Sequence, residues 1–164
     1  MSEITRLSGT PMTYTATGAT VVDFAALDTA TIRTVTTAEI ASLTTADLAL
    51  ISADAFPGMT TQQISALPTT VIPSLSADQL TALTSTQIPA LRTAQIKALT
   101  SDQITRFEPP QISRISAVQM KSFGTDQIAA LTDDQISSIS FTALQALDTI
   151  QVTALSNAQI ASLT

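Results

Sequence analysis

Apolar residues recur every eight positions along almost the whole chain. Every residue whose number is divisible by eight, from Phe24 to Ile160, is apolar, and so is every residue three positions later, from Leu27 to Leu163. The pattern continues through eighteen repeats without an insertion or deletion. Self-similarity at a fixed period is typical of solenoids and other repeat arrays. We therefore divide residues 20–163 into octads, numbered so that the apolar residues occupy positions 5 and 8.

Neither one long helix nor a plain strand explains this spacing. Eight residues turn an α-helix by about 800°, or two turns plus roughly 80°, so the apolar stripe would wind around the cylinder. In a strand, spacings of three and five would place the two apolar residues on opposite faces. A short helix in each octad fits, because residues three apart share one helix face.

The polar residues of each octad predict where that helix starts. Position 1 is usually Ser, Thr or Asp, whose side-chain oxygen can cap an unpaired backbone N–H at a helix start. Position 4 is commonly Gln or Glu, which completes a capping box. Eight octads carry both halves: Thr36/Glu39, Thr60/Gln63, Ser76/Gln79, Thr84/Gln87, Thr100/Gln103, Ser116/Gln119, Thr132/Gln135 and Ser156/Gln159. We predict a cap followed by about seven helical residues.

Two further features refine the helix prediction. The Gln at position 4 would lie at the rim of the core, as a cap or as part of a hydrogen-bonded ladder between coils. Pro57, Pro73 and Pro89 all occupy position 6, where proline removes a helical hydrogen bond. We expect these helices to be little longer than one turn, or partly 3₁₀. Pro109 and Pro110 fall in the first turn, which tolerates proline.

The sequence therefore predicts an all-α solenoid of short capped helices over residues 20–164. Asp54, Asp78, Asp102 and Asp126 recur in every third octad and indicate three octads per superhelical coil, whereas the three prolines recur in every second octad and indicate two. We favour three. Residues 1–19 lie outside the repeat, and alternation around Tyr14 predicts a short extended segment. That segment would be an N-terminal cap, or an arm that docks on another subunit.

Composition and charge argue against several classes of function. The net charge is −6 and the pI is about 4.2, which argues against general nucleic-acid binding. No Cys and no His are present, so thiolate metal sites and the usual general base are missing. No apolar stretch is long enough to predict a membrane span. We expect no catalytic residue, no cofactor and no metal site, and hence no enzyme.

The remaining candidate residues point to interfaces. Five of the seven cationic residues lie close together in the sequence and could contact an acidic partner or remain a solvated face: Arg92, Lys97, Arg106, Arg114 and Lys121. No octad with a polar outer face ends the array, as solenoids normally require, and the repeat reaches Leu163. Either the array is longer, or this end stacks on another copy and forms filaments.

Octads such as TSDQITRF, GTDQIAAL, TDDQISSI and SNAQIASL resemble the tandem octapeptide repeats of large, adhesin-like bacterial secreted or surface proteins. The resemblance covers residues 20–164 and implies an extracellular or cell-surface, structural or adhesive role. The N-terminus lacks the basic start and apolar run of a secretory signal, which leaves a cytoplasmic location open.

These observations favour a non-enzymatic structural protein: a rod-like spacer, an adhesin segment or a filament subunit that self-associates end to end. The alternative is a solenoid module that binds a protein or a glycan through a repeated surface face.

Overall fold

The octads fold as separate short helices in a computed structural model of the chain. The structure describes residues 4–5, 11–14 and 20–163, with side chains from Val22 onward. It divides into an N-terminal unit, Met1–Ala82, and a C-terminal unit, Leu83–Thr164.

The N-terminal unit begins with a small antiparallel sheet in the order β1-β2-β3, formed by Ile4–Thr5, Pro11–Tyr14 and Thr20–Val22. In its register Met12 lies opposite both Ile4 and Val22. Helical segments follow, four of them 3₁₀ (η) and four α: η1 Phe24–Ala26, η2 Ile32–Thr34, α1 Thr37–Ala41, α2 Thr45–Leu50, η3 Ala53–Gly58, α3 Thr61–Ala66, η4 Ile72–Ser74 and α4 Ala77–Thr81.

The C-terminal unit contains only helical segments among its described residues. They are η5 Ile88–Ala90, α5 Thr93–Ala98, α6 Ser101–Ile104, α7 Pro109–Ile112, α8 Ala117–Met120, α9 Thr125–Ala130, α10 Asp133–Ser138, α11 Phe141–Leu144, α12 Thr149–Thr153 and α13 Asn157–Ala161. The prediction of an all-α solenoid of short helices, one in each octad, is thereby confirmed for the repeat region.

The helices are shorter than the seven residues predicted, because position 8 leaves the helical conformation. Leu99, for example, has φ −64° and ψ 137°, and Leu131 has φ −58° and ψ 134°. This extended residue turns the chain before the next cap at position 1. A helix of four to six residues is too short to be stable alone, so its stability must come from packing.

The prolines at position 6 have the predicted effect on helix type. Pro57, Pro73 and Pro89 each lie in a 3₁₀ segment. Pro109 lies in the first turn of α7, where the missing N–H has no helical partner to lose.

Positions 5 and 8 form the core in both units. Every position-5 residue from Ile32 to Ile136 is at most 1% exposed, and Phe56 and Met120 are completely buried among them. Fully burying one such side chain stabilises the fold by roughly 1.5–3 kcal/mol. The core is therefore continuous through each unit, although no single octad could form it.

Packing contacts join helices that are three octads apart. In the N-terminal unit α1 contacts α3 and η3 contacts α4; in the C-terminal unit α5 contacts α8, α6 contacts α9, and α10 contacts both α7 and α13. For example, α5 begins at Thr93 and α8 at Ala117, three octads later. Residues at the same position of these octads therefore lie next to one another.

Candidate functional site

The capping boxes predicted from positions 1 and 4 form with short hydrogen bonds. In α3 the Gln63 backbone N–H donates to Thr60 Oγ1 at 3.2 Å, and the Thr60 N–H donates to Gln63 Oε1 at 2.8 Å. The same box is present in α1, α4, α6, α8, α10 and α13. Seven of the eight predicted boxes are therefore confirmed.

The eighth predicted box forms only in part. Gln87 Oε1 accepts from the Thr84 N–H at 2.8 Å, but the Thr84 hydroxyl lies 2.9 Å from Thr86 Oγ1 instead. The helical residues of this octad begin only at Ile88, next to Pro89. The helix start is shifted in the same way next to Pro73, whereas next to Pro57 the 3₁₀ segment begins at Ala53, directly after position 1.

The amide nitrogen of the position-4 glutamine makes a second, longer-range connection. Gln63 Nε2 donates to the carbonyls of Ile32 at 2.7 Å and Val35 at 2.6 Å. These acceptors lie 31 and 28 residues earlier, at positions 5 and 8 of the octad four octads back. We call this series the amide ladder; its members include Gln63, Gln79, Gln111, Gln119, Gln127, Gln135, Gln151 and Gln159.

The ladder satisfies polar groups that would otherwise be buried without partners. Gln127 is 6% exposed, and its Oε1 accepts from the Gly124 N–H at 2.8 Å. Its Nε2 donates to the Ile96 and Leu99 carbonyls at 2.8 and 2.7 Å. One glutamine side chain therefore satisfies a backbone N–H at the start of its own helix and two backbone carbonyls at the end of another helix. A buried amide is stable only when its donors and acceptor are all used in this way.

The octads 36–43 and 44–51 carry an acid instead of glutamine at position 4. Glu39 Oε2 accepts from the Thr36 N–H and hydroxyl, both at 2.7 Å. Asp47 Oδ2 accepts from the Thr44 N–H at 2.9 Å and from its hydroxyl at 2.6 Å. We call residues 36–51 the acid-capped octads. A carboxylate only accepts, so these side chains complete their own capping box and cannot extend the ladder.

Two aspartates in the first four octads, Asp28 and Asp47, have pKa values below the ordinary value of an aspartate. For Asp47 the cause is the hydrogen bond from the Thr44 hydroxyl, followed by that from the Thr44 backbone N–H. For Asp28 it is the backbone N–H and the hydroxyl of Thr31, then the Ala30 N–H. Donors aimed at a carboxylate favour its charged form and lower its pKa.

The five candidate cations are exposed, and the structure brings two of them to one groove. Lys97 and Lys121 line a groove of about 520 Å³ with Ser101, Thr125 and Asp126. Arg92 precedes α5, while Arg106 and Arg114 follow α6 and α7, and these three do not line the groove.

Gly124 also lines this groove, and the sequence did not single it out. Its φ of −77° is ordinary for any residue, and an added Cβ would come no closer than 3.9 Å to Gln127 Oε1. The backbone therefore does not require glycine at this cap position.

The two remaining interface candidates, Tyr14 and Leu163, lie far apart in the sequence. Leu163 is 39% exposed, whereas Leu131, at the same octad position, is 3% exposed. Tyr14 lies in β2, and its side chain falls outside the described residues.

Within residues 4–5, 11–14 and 20–163, no group of acidic, His or Cys side chains is arranged to hold a metal ion. Over the same part of the chain, no helix has the length and apolar character needed to cross a bilayer.

Comparison with known families finds the same repeat. The family model of the ALTTAQ repeat matches residues 56–93 and 78–108. The hexapeptides ALTSTQ at 82–87 and ALRTAQ at 90–95 show the likeness, and each runs from the end of one octad to position 4 of the next. No curated protein and no solved structure matches the chain. Over residues 56–108 this is therefore a tandem-repeat chain whose units are similar to the ALTTAQ repeat.

Proposed function

We propose that the chain is a non-enzymatic structural repeat protein that serves as a rod-like spacer. The observation that supports this most directly is the amide ladder, whose members connect to the octad four earlier by the same kind of hydrogen bond. Together with the core at positions 5 and 8, this interface is the same from octad to octad. An array of this kind can grow by whole octads without a new type of contact.

The proposal includes three octads in each turn of the solenoid. Contacts between helices three octads apart support this number, because a coil of two would place every second octad in contact. The ladder hydrogen bonds, which span 28 and 31 residues, agree with this number. In a coil of three, each octad packs on the octad three earlier, and its position-4 amide reaches the carbonyls at positions 5 and 8 of the octad before that one.

A register-keeping deletion tests the spacer proposal. Removing residues 100–123 deletes three octads and rejoins position 8 to position 1. We expect a folded protein whose largest dimension, measured by small-angle X-ray scattering, falls by one helix layer, or about 8–10 Å. Removing residues 100–119 deletes the same region out of register and is the control, which should not fold cooperatively. Equal behaviour of the two deletions would contradict the proposal.

Self-association end to end is a second form of the proposal. The repeated interface supports it, because a contact that joins successive octads within one chain can also join two copies of the chain. Sedimentation equilibrium tests this form: concentration-dependent polymers would support it, and a strictly monomeric species would contradict it.

An adhesin-type role at a bacterial cell surface is the finer form of the proposal. Its support is the resemblance of the low-charge octads to repeats of secreted and surface proteins. Surface labelling of intact cells that express the chain tests it, and label confined to lysed cells would contradict it.

Binding of an acidic protein partner is a second candidate function, and the groove between Lys97 and Lys121 favours it. A polyglutamate peptide is a suitable probe because it supplies carboxylates without sequence specificity. We expect its addition to shift the amide NMR signals of Gly124 and Thr125, and expect Lys97→Gln with Lys121→Gln to abolish the shifts. Arg114→Gln, outside the groove, is the control and should leave them unchanged.

A further inference from the structure

The groove beside Lys97 and Lys121 is built from the same octad positions in two helix layers. Its lining includes three pairs of residues that lie three octads apart: Lys97 and Lys121 at position 6, Leu99 and Phe123 at position 8, and Ser101 and Thr125 at position 2 of the next octad. The helices next to these pairs pack on one another, α5 on α8 and α6 on α9. The groove therefore crosses two layers and offers the same groups once in each.

Each layer contributes one ammonium group, one hydroxyl group and one apolar side chain. Lys97 and Lys121 are exposed, whereas Leu99 is 5% exposed and Phe123 is 4% exposed, so the apolar pair closes the groove on the side of the core. The volume of about 520 Å³ lies within the range of ligand-binding clefts, roughly 300–1,000 Å³. An occupant that runs along the groove therefore meets a cation in each layer.

Asp126 limits the length of an acidic occupant. This residue lines the groove in the second layer, together with Lys121. The whole chain has a net charge of −6, so negative charges repel a polyanion both inside the groove and around it. A short segment with one carboxylate for each lysine avoids most of this repulsion, whereas a nucleic acid does not. The groove therefore favours a short acidic segment of a protein.

The distance between the two layers favours one backbone conformation for that segment. Packed helices lie about 8–10 Å apart, and equivalent residues of the two layers share this repeat. In a polyproline II helix, residues three apart face the same side and are about 9.3 Å apart. Residues on one face of a β-strand are about 6.4–6.8 Å apart. Residues on one face of an α-helix are about 4.5, 6 or 10.5 Å apart along its axis. Polyproline II gives the closest match.

The hydroxyl groups of the groove also suit a polyproline II backbone. Its carbonyls make no hydrogen bonds within the segment, so they can accept from the hydroxyls of Ser101 and Thr125. The carbonyls in an α-helix are already used by its own N–H groups. A polyproline II segment is also extended before it binds, which lowers the entropy cost of ordering it.

We propose that the groove binds an acidic, proline-rich segment of a protein partner in the polyproline II conformation. Two carboxylates three residues apart contact Lys97 and Lys121, one in each layer. This inference rests on the acidic-partner function proposed above and specifies the conformation and the charge spacing of the partner.

Two peptides of the same composition and charge test the spacing. The spaced peptide, PPEPPEPP, has its glutamates three residues apart, and the clustered peptide, PPPEEPPP, has them side by side. Acetyl and amide groups remove the terminal charges of both. Each is titrated into the full-length protein at low ionic strength, and the amide NMR signals of Gly124 and Thr125 give its dissociation constant. We expect the spaced peptide to bind about threefold more tightly, or about 0.65 kcal/mol, because it gains one surface ion pair.

Single substitutions of the lysines locate the two contacts. Lys121→Gln leaves one of the two lysines in the groove, so the spaced peptide should lose about threefold in affinity and bind no better than the clustered one. Lys97→Gln should have the same effect. Arg114→Gln is the matched control, because Arg114 is an exposed cation outside the groove, and this variant should keep the preference for the spaced peptide. Circular dichroism shows whether each variant is folded.

Equal affinity of the two peptides would overturn the inference, and so would an unchanged preference in both lysine variants. Tighter binding of TTETETT, a strand-forming peptide with two glutamates at alternate positions, would overturn it as well, because the occupant would then be a β-strand. In each case the acidic-partner function stands when polyglutamate still shifts the signals of Gly124 and Thr125. That function fails when polyglutamate causes no shift.

Discussion

The acid-capped octads and the amide ladder use one capping box for two different purposes. At Glu39 and Asp47 the side chain accepts hydrogen bonds at its own helix start and is partly exposed to solvent. At Gln127 and Gln135 it accepts the same bond but also donates to two carbonyls four octads earlier, and it is buried. Carbonyls of the octad four earlier, and not the cap, therefore decide whether position 4 needs an amide.

A reciprocal exchange of amide and acid at position 4 should have the largest effect on stability. Gln127→Glu keeps the acceptor for the Gly124 N–H but sets a buried carboxylate against the Ile96 and Leu99 carbonyls. We expect a loss on the order of 3–5 kcal/mol in the free energy of unfolding at pH 7, measured by urea denaturation.

The matched control for that exchange is Glu39→Gln in the acid-capped octads. The new amide oxygen can accept from the Thr36 N–H, so we expect a change within about 0.5 kcal/mol. Similar losses in the two variants would show that the cap, rather than the ladder, determines the residue at position 4.

A substitution at Gly124 tests the cap alone and should have a smaller effect on stability. In the acid-capped octads both halves of the box form, whereas Gly124 has no side chain to cap the Gln127 N–H. Gly124→Ser adds the missing acceptor and restricts the unfolded chain, so we expect about 0.5–1 kcal/mol of stabilisation in urea denaturation.

Gly58→Ala is the control that separates a cap effect from a general benefit of removing glycine. An added Cβ at Gly58 would lie 2.0 Å from the Thr29 carbonyl oxygen, so this variant should be destabilised. Destabilisation by Gly124→Ser as well would mean that this position requires glycine.

The smallest expected effect is a pH dependence confined to acid-capped boxes. The pKa of Asp47 is lowered on folding, so its box contributes stability above the ordinary pKa of an aspartate, and the contribution is lost as pH falls through the folded value. Because the group is largely exposed, we expect only a few tenths of a kcal/mol.

Carbon-detected NMR titration of the Asp47 carboxyl group measures this directly. Thr44→Val removes the hydroxyl that donates to the carboxylate and should raise the pKa of Asp47. An unchanged pKa in that variant would show that the hydroxyl is not its cause. The box of Thr60 and Gln63 contains no group that titrates in this range and should not respond.

Short-range chemistry let the sequence predict the local structure. The capping pairs, the burial of positions 5 and 8 and the 3₁₀ segments at Pro57, Pro73 and Pro89 depend on residues within one octad, and the structure agrees. The prediction for Thr84/Gln87 is wrong in part, because the Thr84 hydroxyl lies beside Thr86 Oγ1 and the helical residues of this octad begin only at Ile88. The predicted helix length is too great because the extended conformation at position 8 depends on the turn into the next octad.

The octad, its caps and its apolar edge could be predicted from the sequence, because each depends on residues three to eight positions apart. The carbonyls that Gln127 or Gln135 reaches could not, since a glutamine amide can donate to any carbonyl that the fold brings near. The fold likewise places Lys97 and Lys121 in one groove and leaves Arg106 and Arg114 outside it. The long-range hydrogen bonds of the ladder depend on how the octads coil, and sequence recurrences in every second and every third octad left that open.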